Sequence, residues 1–306
     1  MNLYATLTIE AGTIIKFDAQ AGILASSAAL IVNGTAAHPV IFTSIKDDSY
    51  GGDNNADGSA TSPQKGDWHW ISFGTSSGNS LNYCKIFYAG SGSADLERAL
   101  NMGDGANNSL KNSVIAHTAG GTNQSYAALD MAYCPHSCVA TGNTFFDNGH
   151  PVIIGVASDF DDSNIFHNPA NASETNLCNG IFVATVFTTA ADMTWSNTEV
   201  AYVFGTYGSN SWYMPTSNKL TLGDNVVVKF NTNISGHGFS LYIPVGTSQL
   251  VNYDGPGVAF TSYDDDDFKG DTNGDGFSVG TPGYWSGIET TGPVWQHWAN
   301  IYYNEF

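Results

Sequence analysis

One acidic stretch of this sequence occurs twice. Residues 42–58 read FTSIKDDSYGGDNNADG and residues 260–276 read FTSYDDDDFKGDTNGDG, with the same elements in the same order. The offset is 218 positions at the first phenylalanine and again at the last aspartate. In each copy a short apolar strand leads into a loop dense in carboxylates. We therefore predict an internal duplication whose two copies fold alike.

Further matches extend the duplication to both ends of the chain. Each of three early segments returns later in the same order: residues 7–17 as 220–230, 66–71 as 283–288, and 85–88 as 300–303. These matches define repeated units at 1–90 and 215–306, with shorter coils over 91–214 between them. We predict that residues 1–306 form one continuous domain.

The composition favours β-structure. Charged residues make up only 12% of the chain, while glycine numbers 34 and aromatic residues reach 13%. Apolar runs of four to six residues alternate with turn dipeptides such as Asn33-Gly34, without a helical period. In the middle of the chain, residues 112–117, 143–148 and 163–168 align as short coils, and we expect their polar ends, often asparagine, to stack in ladders.

The stretches LTIEAGTIIKF, ALIVNGTAAHPVIFTS, GGDNNADG and GDWHWISF resemble bacterial secreted right-handed parallel β-helix proteins of the pectate-lyase-like type. The resemblance covers residues 1–90 and 215–306, and it is weaker between them. It implies an all-β solenoid of roughly ten coils, each with three short parallel strands, from which the two acidic loops project as inserts. It implies no single function, because such folds include polysaccharide lyases, hydrolases and adhesins.

Each acidic loop ends in Asp-x-Asn-x-Asp-Gly, which places oxygen ligands and a glycine as in the first half of an EF-hand calcium loop. The glutamate expected at position 12 is replaced by Gln64 and Pro282. We expect the upstream acidic pairs to complete the sites, and we predict two structural Ca²⁺ ions, one per copy. The predicted ligands are Asp47, Asp48, Asp53, Asn55, Asp57, Asp265, Asp266, Asp271, Asn273 and Asp275. The competing interpretation is a solvated acidic turn without metal.

The charge excludes some partners. With 28 acidic against 9 basic residues the net charge is −19, and Arg98 is the one arginine. Such a surface repels phosphate, so we expect no nucleic-acid partner. The sequence has no apolar run long enough for a membrane helix, so we expect no membrane insertion. The low fraction of charged residues and the acidic loops favour an extracellular or cell-surface location, where millimolar calcium keeps weak sites filled.

Catalytic candidates have competing structural explanations. Arg98, Lys85 and Lys111 are the basic residues considered for a lyase, and each is expected in an ion pair or at a solvent-facing position. A glycoside hydrolase needs two carboxylates about 5–10 Å apart. The carboxylates considered are Asp130, Asp147, Asp159, Asp161 and Asp162, for which an exposed acidic corner is the favoured interpretation.

The remaining motifs are less specific. Four histidines lack regular metal-ligand spacing and are expected at polar corners: His117, His136, His150 and His167. Residues 74–78 spell Gly-x-Ser-x-Gly, but a strand rather than a helix is expected to follow. The four cysteines allow two, one or no disulfides: Cys84, Cys134, Cys138 and Cys178.

Tryptophans and chain ends suggest partners. Six tryptophans could stack on sugar rings or fill the core: Trp68, Trp70, Trp212, Trp285, Trp295 and Trp298. Neither end of the sequence resembles a cap, so we expect a fragment, head-to-tail stacking with other copies, or an end covered by the tryptophan-rich segment.

The sequence favours a non-enzymatic surface or structural protein acting in adhesion, glycan binding or filament assembly. A polysaccharide lyase or glycoside hydrolase is the alternative.

Overall fold

The computed structural model describes residues 1–92, 98–119, 127–185, 191–207, 211–232, 238–292 and 294–306. The acidic neighbours of Arg98 at 95–97, which the sequence assigns to its ion pair, lie outside these ranges. Within them the chain consists of short strands, turns and one turn of 3-10 helix. The strands are β1 (Leu7–Glu10), β2 (Ile14–Phe17), β3 (Ile23–Leu24), β4 (Leu30–Asn33), β5 (Val40–Ser44), β6 (Ile71–Ser72), β7 (Ser80–Asn82), β8 (Cys84–Phe87), β9 (Leu100–Asn101), β10 (Ser109–Lys111), β11 (Val114–Ala116), β12 (Leu129–Met131), β13 (Val139–Thr141), β14 (Thr144–Phe146), β15 (Val152–Gly155), β16 (His167–Asn168), β17 (Asn171–Thr175), β18 (Gly180–Ala184), β19 (Met193–Trp195), β20 (Ala201–Tyr207), β21 (Ser211–Tyr213), β22 (Leu220–Leu222), β23 (Val227–Phe230), β24 (Ser240–Ile243), β25 (Leu250–Val251), β26 (Ala259–Ser262), β27 (Gly287–Thr290) and β28 (Val294–Trp295), with the 3-10 turn at Thr247–Gln249.

Contacts divide the chain into two compact units, residues 1–152 with 164–176, and residues 153–163 with 177–306. In the first unit the chain visits three parallel sheets in rotation. Their orders are β1-β4-β7-β10-β13, β2-β5-β8-β11-β14 and β3-β6-β9-β12. Parallel neighbours cannot be joined by a tight turn, so a long circuit of chain separates each strand from the next strand of its sheet. The antiparallel pair β16–β17 completes the unit.

The second unit is built in the same way. Its parallel sheets have the orders β15-β18-β20-β23-β26, β19-β22-β25 and β21-β24-β27, and β28 adds to the last of these as an antiparallel strand. The prediction of an all-β chain with parallel sheets is confirmed, and the arrangement is compatible with a parallel β-helix. The prediction of one continuous domain stays a prediction. None of the described residues forms a helix long and apolar enough to cross a membrane.

The core is made of side chains stacked in register. Phe42, Ile86, Ile115 and Phe145 occupy matching positions on four successive strands of one sheet, and all four are fully buried. Burying an apolar side chain of this size contributes about 1.5–3 kcal/mol relative to leaving it exposed. The strands are too short to be stable alone, so this stacking holds each turn of chain on its neighbours.

Asparagine ladders form as predicted, but one residue out of the predicted register. The sequence alignment paired Asn112 with Asn143, whereas the Ser113 N–H donates to Asn143 Oδ1 at 3.1 Å. The Asn143 N–H donates in turn to Asn164 Oδ1 at 3.2 Å. Asn143 and Asn164 are fully buried and need these bonds. Asn112 instead occupies an exposed corner with φ of 50°, a conformation that asparagine tolerates well.

The duplication is reproduced in the packing. Trp68 stacks on Phe17 with ring centroids 4.2 Å apart, and the equivalent Trp285 stacks on Phe230 at 4.1 Å. Both tryptophans are fully buried. Each indole N–H donates to a main-chain carbonyl further along the chain, at 2.7 Å in the first copy and 2.9 Å in the second. The sequence matches outside the acidic loops therefore correspond to equivalent three-dimensional contacts.

Candidate functional site

The first acidic loop brings three carboxylates together. Oxygens of Asp48, Asp53 and Asp57 lie within 4.8 Å of one another. Asp53 closes the loop, since its Oδ1 accepts the Asp57 N–H at 3.2 Å and its Oδ2 accepts the Gly58 N–H at 2.8 Å. Carboxylates at this spacing repel one another unless a cation or a proton intervenes. The backbone of the loop thus holds three acids in a cluster of a size that suits a hard cation.

Three buried oxygens in this loop lack a hydrogen-bond partner within the described part of the chain. They are Asp48 Oδ1, Asn55 Oδ1 and Asp57 Oδ1. The amide nitrogen of Asn55 is engaged, because Nδ2 donates to Asp57 Oδ2 at 2.9 Å. A buried oxygen left without a partner costs about 1–3 kcal/mol. A calcium ion, which takes six to eight oxygen ligands, would satisfy such atoms.

The second acidic loop repeats the cluster at equivalent positions. Oxygens of Asp266, Asp271 and Asp275 lie within 4.8 Å of one another, and each of these residues lies 218 positions after its counterpart. Asp271 again closes the loop: its Oδ1 accepts the Gly274 N–H at 2.6 Å and its Oδ2 accepts the Gly276 N–H at 3.0 Å. Both loops therefore build the same three-carboxylate cluster from the same sequence positions.

The upstream acidic pair of the second loop is deeply buried. Asp265 is 0% and Asp266 6% exposed, and within the described residues the Oδ1 atom of each has no hydrogen-bond partner. The other oxygen of Asp266 accepts the Ser278 N–H at 2.7 Å. Burial raises the pKa of Asp266 above the ordinary aspartate value. A nearby positive charge would favour the ionised form of this carboxylate.

A lysine supplies one such charge in the second loop. Lys229 is fully buried, and its Nζ donates to the Gly270 carbonyl at 2.8 Å and lies 3.7 Å from Asp266 Oδ1. Burial lowers the pKa of Lys229 to about 8. In the first copy Lys16 donates to the carbonyl of Gly52, which is the counterpart of Gly270, but Lys16 is partly exposed.

The sequence did not distinguish the two members of each acidic pair. Asp48 and Asp266 join the clusters, whereas Asp47 and Asp265 do not belong to them. Asp47 Oδ2 accepts the Thr43 hydroxyl at 2.6 Å, and Asp265 makes the equivalent bond with the hydroxyl of a strand threonine. These first aspartates tie the loop to its strand.

The two predicted asparagine ligands also differ. Asn55 Oδ1 is buried without a hydrogen-bond partner in the described chain, whereas Asn273 Oδ1 accepts the Asp275 N–H at 3.1 Å. Asn55 is therefore better placed than Asn273 to act as a ligand through its carbonyl. The assignment of Ca²⁺ to either loop stays a prediction.

A third group of possible ligands was missed by the sequence analysis. His117, Asp147 and Glu174 offer atoms within 4.8 Å of one another. His117 Nδ1 lies 2.7 Å from Asp147 Oδ2, and Lys65 Nζ lies 2.6 Å from Asp147 Oδ1. Burial raises the pKa of Asp147, but Lys65 and His117 outweigh it and the pKa is lowered overall. The correct register places His117 beside Asp147, so an alignment shifted by one residue would have revealed the pair.

The arginine and several acidic candidates are engaged in structural contacts. Arg98 forms an ion pair with Asp130 in which both side chains are largely buried, rather than the expected surface pair. Asp159 accepts the Thr194 N–H at 2.7 Å, and Asp161 accepts the N–H of Ser163 at 3.1 Å. Asp161 thus holds its own turn, whereas Asp159 bonds a strand 35 residues further along the chain. Asp159 is exposed, as expected, but Asp130 is buried and does not fit an exposed corner.

The serine and cysteine motifs agree with the less reactive interpretations. Ser76, the serine of the Gly-x-Ser-x-Gly stretch, donates to the Ala28 carbonyl at 2.8 Å, and the next element is strand β7. All four cysteines are free and buried, which selects the case without disulfides. Burial raises the pKa of the Cys84 and Cys178 thiols to about 12, so both stay protonated at neutral pH.

The tryptophans divide between core and surface. Trp68, Trp212 and Trp285 are buried, so the glycan-binding interpretation does not apply to them. Trp70, Trp295 and Trp298 are partly exposed.

Comparisons with models of known families, with curated proteins and with solved structures found no match for this chain. The comparisons therefore assign neither a family nor an activity to this chain.

Proposed function

We propose that this chain is a calcium-stabilised extracellular protein with a structural or adhesive role. In this proposal the parallel sheets belong to a right-handed β-helix of roughly ten coils, as the resemblance to pectate-lyase-like proteins implies. Each acidic loop binds one structural Ca²⁺ ion and is thereby held on the solenoid. Adhesion, glycan binding or head-to-tail assembly into a filament is the activity that such a surface supports.

One observation carries the cation proposal: matched carboxylate clusters accompanied by buried oxygens that lack hydrogen-bond partners in the described chain. Asp48, Asp53 and Asp57 would hold the first ion with Asn55, and Asp266, Asp271 and Asp275 the second. All these ligand atoms are oxygens, which suits calcium rather than zinc or copper. When bound, the ion supplies positive charge that offsets the repulsion among the carboxylates.

A polysaccharide lyase or glycoside hydrolase remains the alternative function. The group of His117, Asp147 and Glu174, with Lys65 beside it, is the observation that favours it. A general acid needs a raised pKa, however, and the pKa of Asp147 is lowered by its two basic neighbours. An enzyme of this kind would release new reducing ends or unsaturated products from a panel of polysaccharides, and Asp147→Asn would abolish that release.

The cation proposal is tested by thermal unfolding in calcium and in EDTA. A ligand at 100 times its Kd stabilises a protein by about 2.7 kcal/mol per site, so we expect EDTA to lower the melting temperature clearly. Asp53→Asn and Asp271→Asn should each remove part of the calcium-dependent shift, and the double variant should remove all of it.

Asp18→Asn is the matched control, because Asp18 is not one of the clustered carboxylates and its side chain accepts, among the described residues, only the Ala19 N–H. It should leave the calcium-dependent shift unchanged. Equal melting temperatures in calcium and EDTA for the unmodified chain would contradict the proposal, and calorimetry would count the ions bound.

A further inference from the structure

An open depression in the second unit has a volume of about 530 Å³. This volume is within the usual range of about 300–1,000 Å³ for small-molecule sites. Its lining combines four aromatic residues, two glycines and three small apolar residues with two polar ones. The lining residues are Tyr253, Asp254, Gly255, Gly257, Val258, Ala259, Phe268, Trp298, Ala299, Asn300 and Tyr302.

Two aromatic pairs form the walls. Tyr253 and Trp298 have ring centroids 4.1 Å apart, and Phe268 and Tyr302 have centroids 4.9 Å apart. Trp298 is only partly buried, and Tyr302 is 37% exposed. Aromatic rings offer broad apolar faces, and the tyrosine hydroxyl and indole N–H add hydrogen-bonding groups at their edges. The walls thus combine apolar faces with polar edges.

The cavity is held in shape by its own hydrogen bonds. Asn300 Nδ2 donates to the carbonyls of Tyr253 at 2.8 Å and Val258 at 3.0 Å, which fixes the loop against the adjacent chain. Gly257 has φ of 69°, and a Cβ there would lie 2.2 Å from Asn225 Oδ1. The positive φ and this close approach both favour glycine here. The site is therefore largely formed before a ligand arrives, which lowers the entropy cost of binding.

The first copy contains an equivalent aromatic pair. Tyr50 and Phe87 are the counterparts of Phe268 and Tyr302, and their rings are also in contact at 6.1 Å. Phe87 is only 8% exposed, because it packs in a buried cluster with residues of the next two strands. The contact between the two rings is thus repeated in both copies.

The charge of the lining narrows the ligand class. Asp254 is its exposed carboxylate, and no lysine or arginine is among the described residues that line the cavity. An anionic ligand such as a polyuronate would meet a carboxylate in a chain of net charge −19 without a compensating cation. A neutral sugar presents apolar C–H faces to aromatic rings and hydroxyl donors to the carboxylate. We propose that this cavity binds one or two units of a neutral saccharide.

The proposal names a ligand class for the glycan-binding activity considered above, and it does not require calcium at the two loops. The test is a titration of the intact chain with neutral gluco-, xylo- and manno-oligosaccharides. Tryptophan fluorescence and calorimetry measure the binding. We expect at least one of these series to bind, and Trp298→Ala to weaken that binding about tenfold or more, as truncation of an aromatic anchor usually does. Trp70→Ala removes a partly exposed tryptophan of the first unit and should leave binding unchanged.

Tyr302→Ala provides a second variant in case Trp298→Ala does not fold, since the Tyr302 side chain is substantially exposed. An oligogalacturonate should fail to bind. The proposal is overturned if no neutral series binds, or if the wild-type chain and the cavity variants bind with equal affinity. It is also overturned if a competing ligand, either a proline-rich peptide or the charged oligogalacturonate, binds more tightly than the neutral sugars. Repeating the titration in EDTA separates the saccharide proposal from the cation proposal. Sugar binding that persists in EDTA supports the cavity site, whether or not calcium stabilises the chain.

Discussion

Lys16 and Lys229 occupy equivalent places in the two copies, and both donate to the carbonyl of an equivalent glycine. Lys16 is partly exposed, whereas Lys229 is fully buried and lies 3.7 Å from a carboxylate oxygen of Asp266. The three-carboxylate clusters come from equivalent positions in both copies. The difference shows that duplication preserved the contacts that build the loop, while burial changed the electrostatics of one copy.

This difference has a physical consequence for stability. Lys16 donates to a main-chain carbonyl and is partly exposed, so its removal leaves no buried charge behind. A buried charge that loses its partner is strongly destabilising. The second loop therefore depends on its lysine more than the first does, and matched substitutions in the two copies can measure by how much.

The largest effects are expected where the copies are most alike. Trp68→Ala and Trp285→Ala each remove a fully buried ring that stacks on a phenylalanine, so each should cost about 3–5 kcal/mol of unfolding free energy. Urea unfolding of the two variants measures this. A cost near zero for one of them would break the equivalence of the two packing sites.

An intermediate effect is expected where the copies differ. In EDTA, Lys229→Met should lower the unfolding free energy by about 3 kcal/mol, because it leaves the carboxylate of Asp266 buried without its cation. Lys16→Met should change it by less than about 1 kcal/mol. Denaturant titration of both variants compares them, and equal losses would show that burial of Lys229 has no electrostatic consequence.

The smallest effect concerns alkaline pH. Cys84 of strand β8 corresponds to Ala299 in the second copy, and burial raises the pKa of its thiol from 9.0 to about 12. The thiol is protonated in both states below pH 9, so its stabilising contribution is complete there. Above pH 9 the unfolded chain ionises first, and stability is lost as the pH rises toward 12.

Cys84→Ala makes the first copy resemble the second at this position. The unfolding free energy of this variant, measured between pH 8 and 11, should fall less steeply with pH than that of the unmodified chain. Parallel slopes would show that the Cys84 thiol does not carry this part of the alkaline instability.

The duplication, the all-β class and the membership of the acidic clusters were largely readable from residue order. The repeat of Asp-x-Asn-x-Asp-Gly fixes where loop carboxylates stand relative to the backbone N–H groups that bind them, because such turns depend on local geometry. For this reason Asp53, Asp57, Asp271 and Asp275 lie in the predicted clusters. Local chemistry also accounts for the asparagine ladders, although not for their register.

Register, burial and neighbourhood were decided by the tertiary structure. A shift of one residue separates the predicted pairing of Asn112 from the observed pairing of Ser113, because only packing between turns of chain determines which polar group is enclosed. Long-range packing likewise buries Lys229 and leaves Lys16 partly exposed, and it encloses Phe87 against the next two strands. The sequence determined which groups each loop contains, and the contacts between distant segments determined which of those groups water can reach.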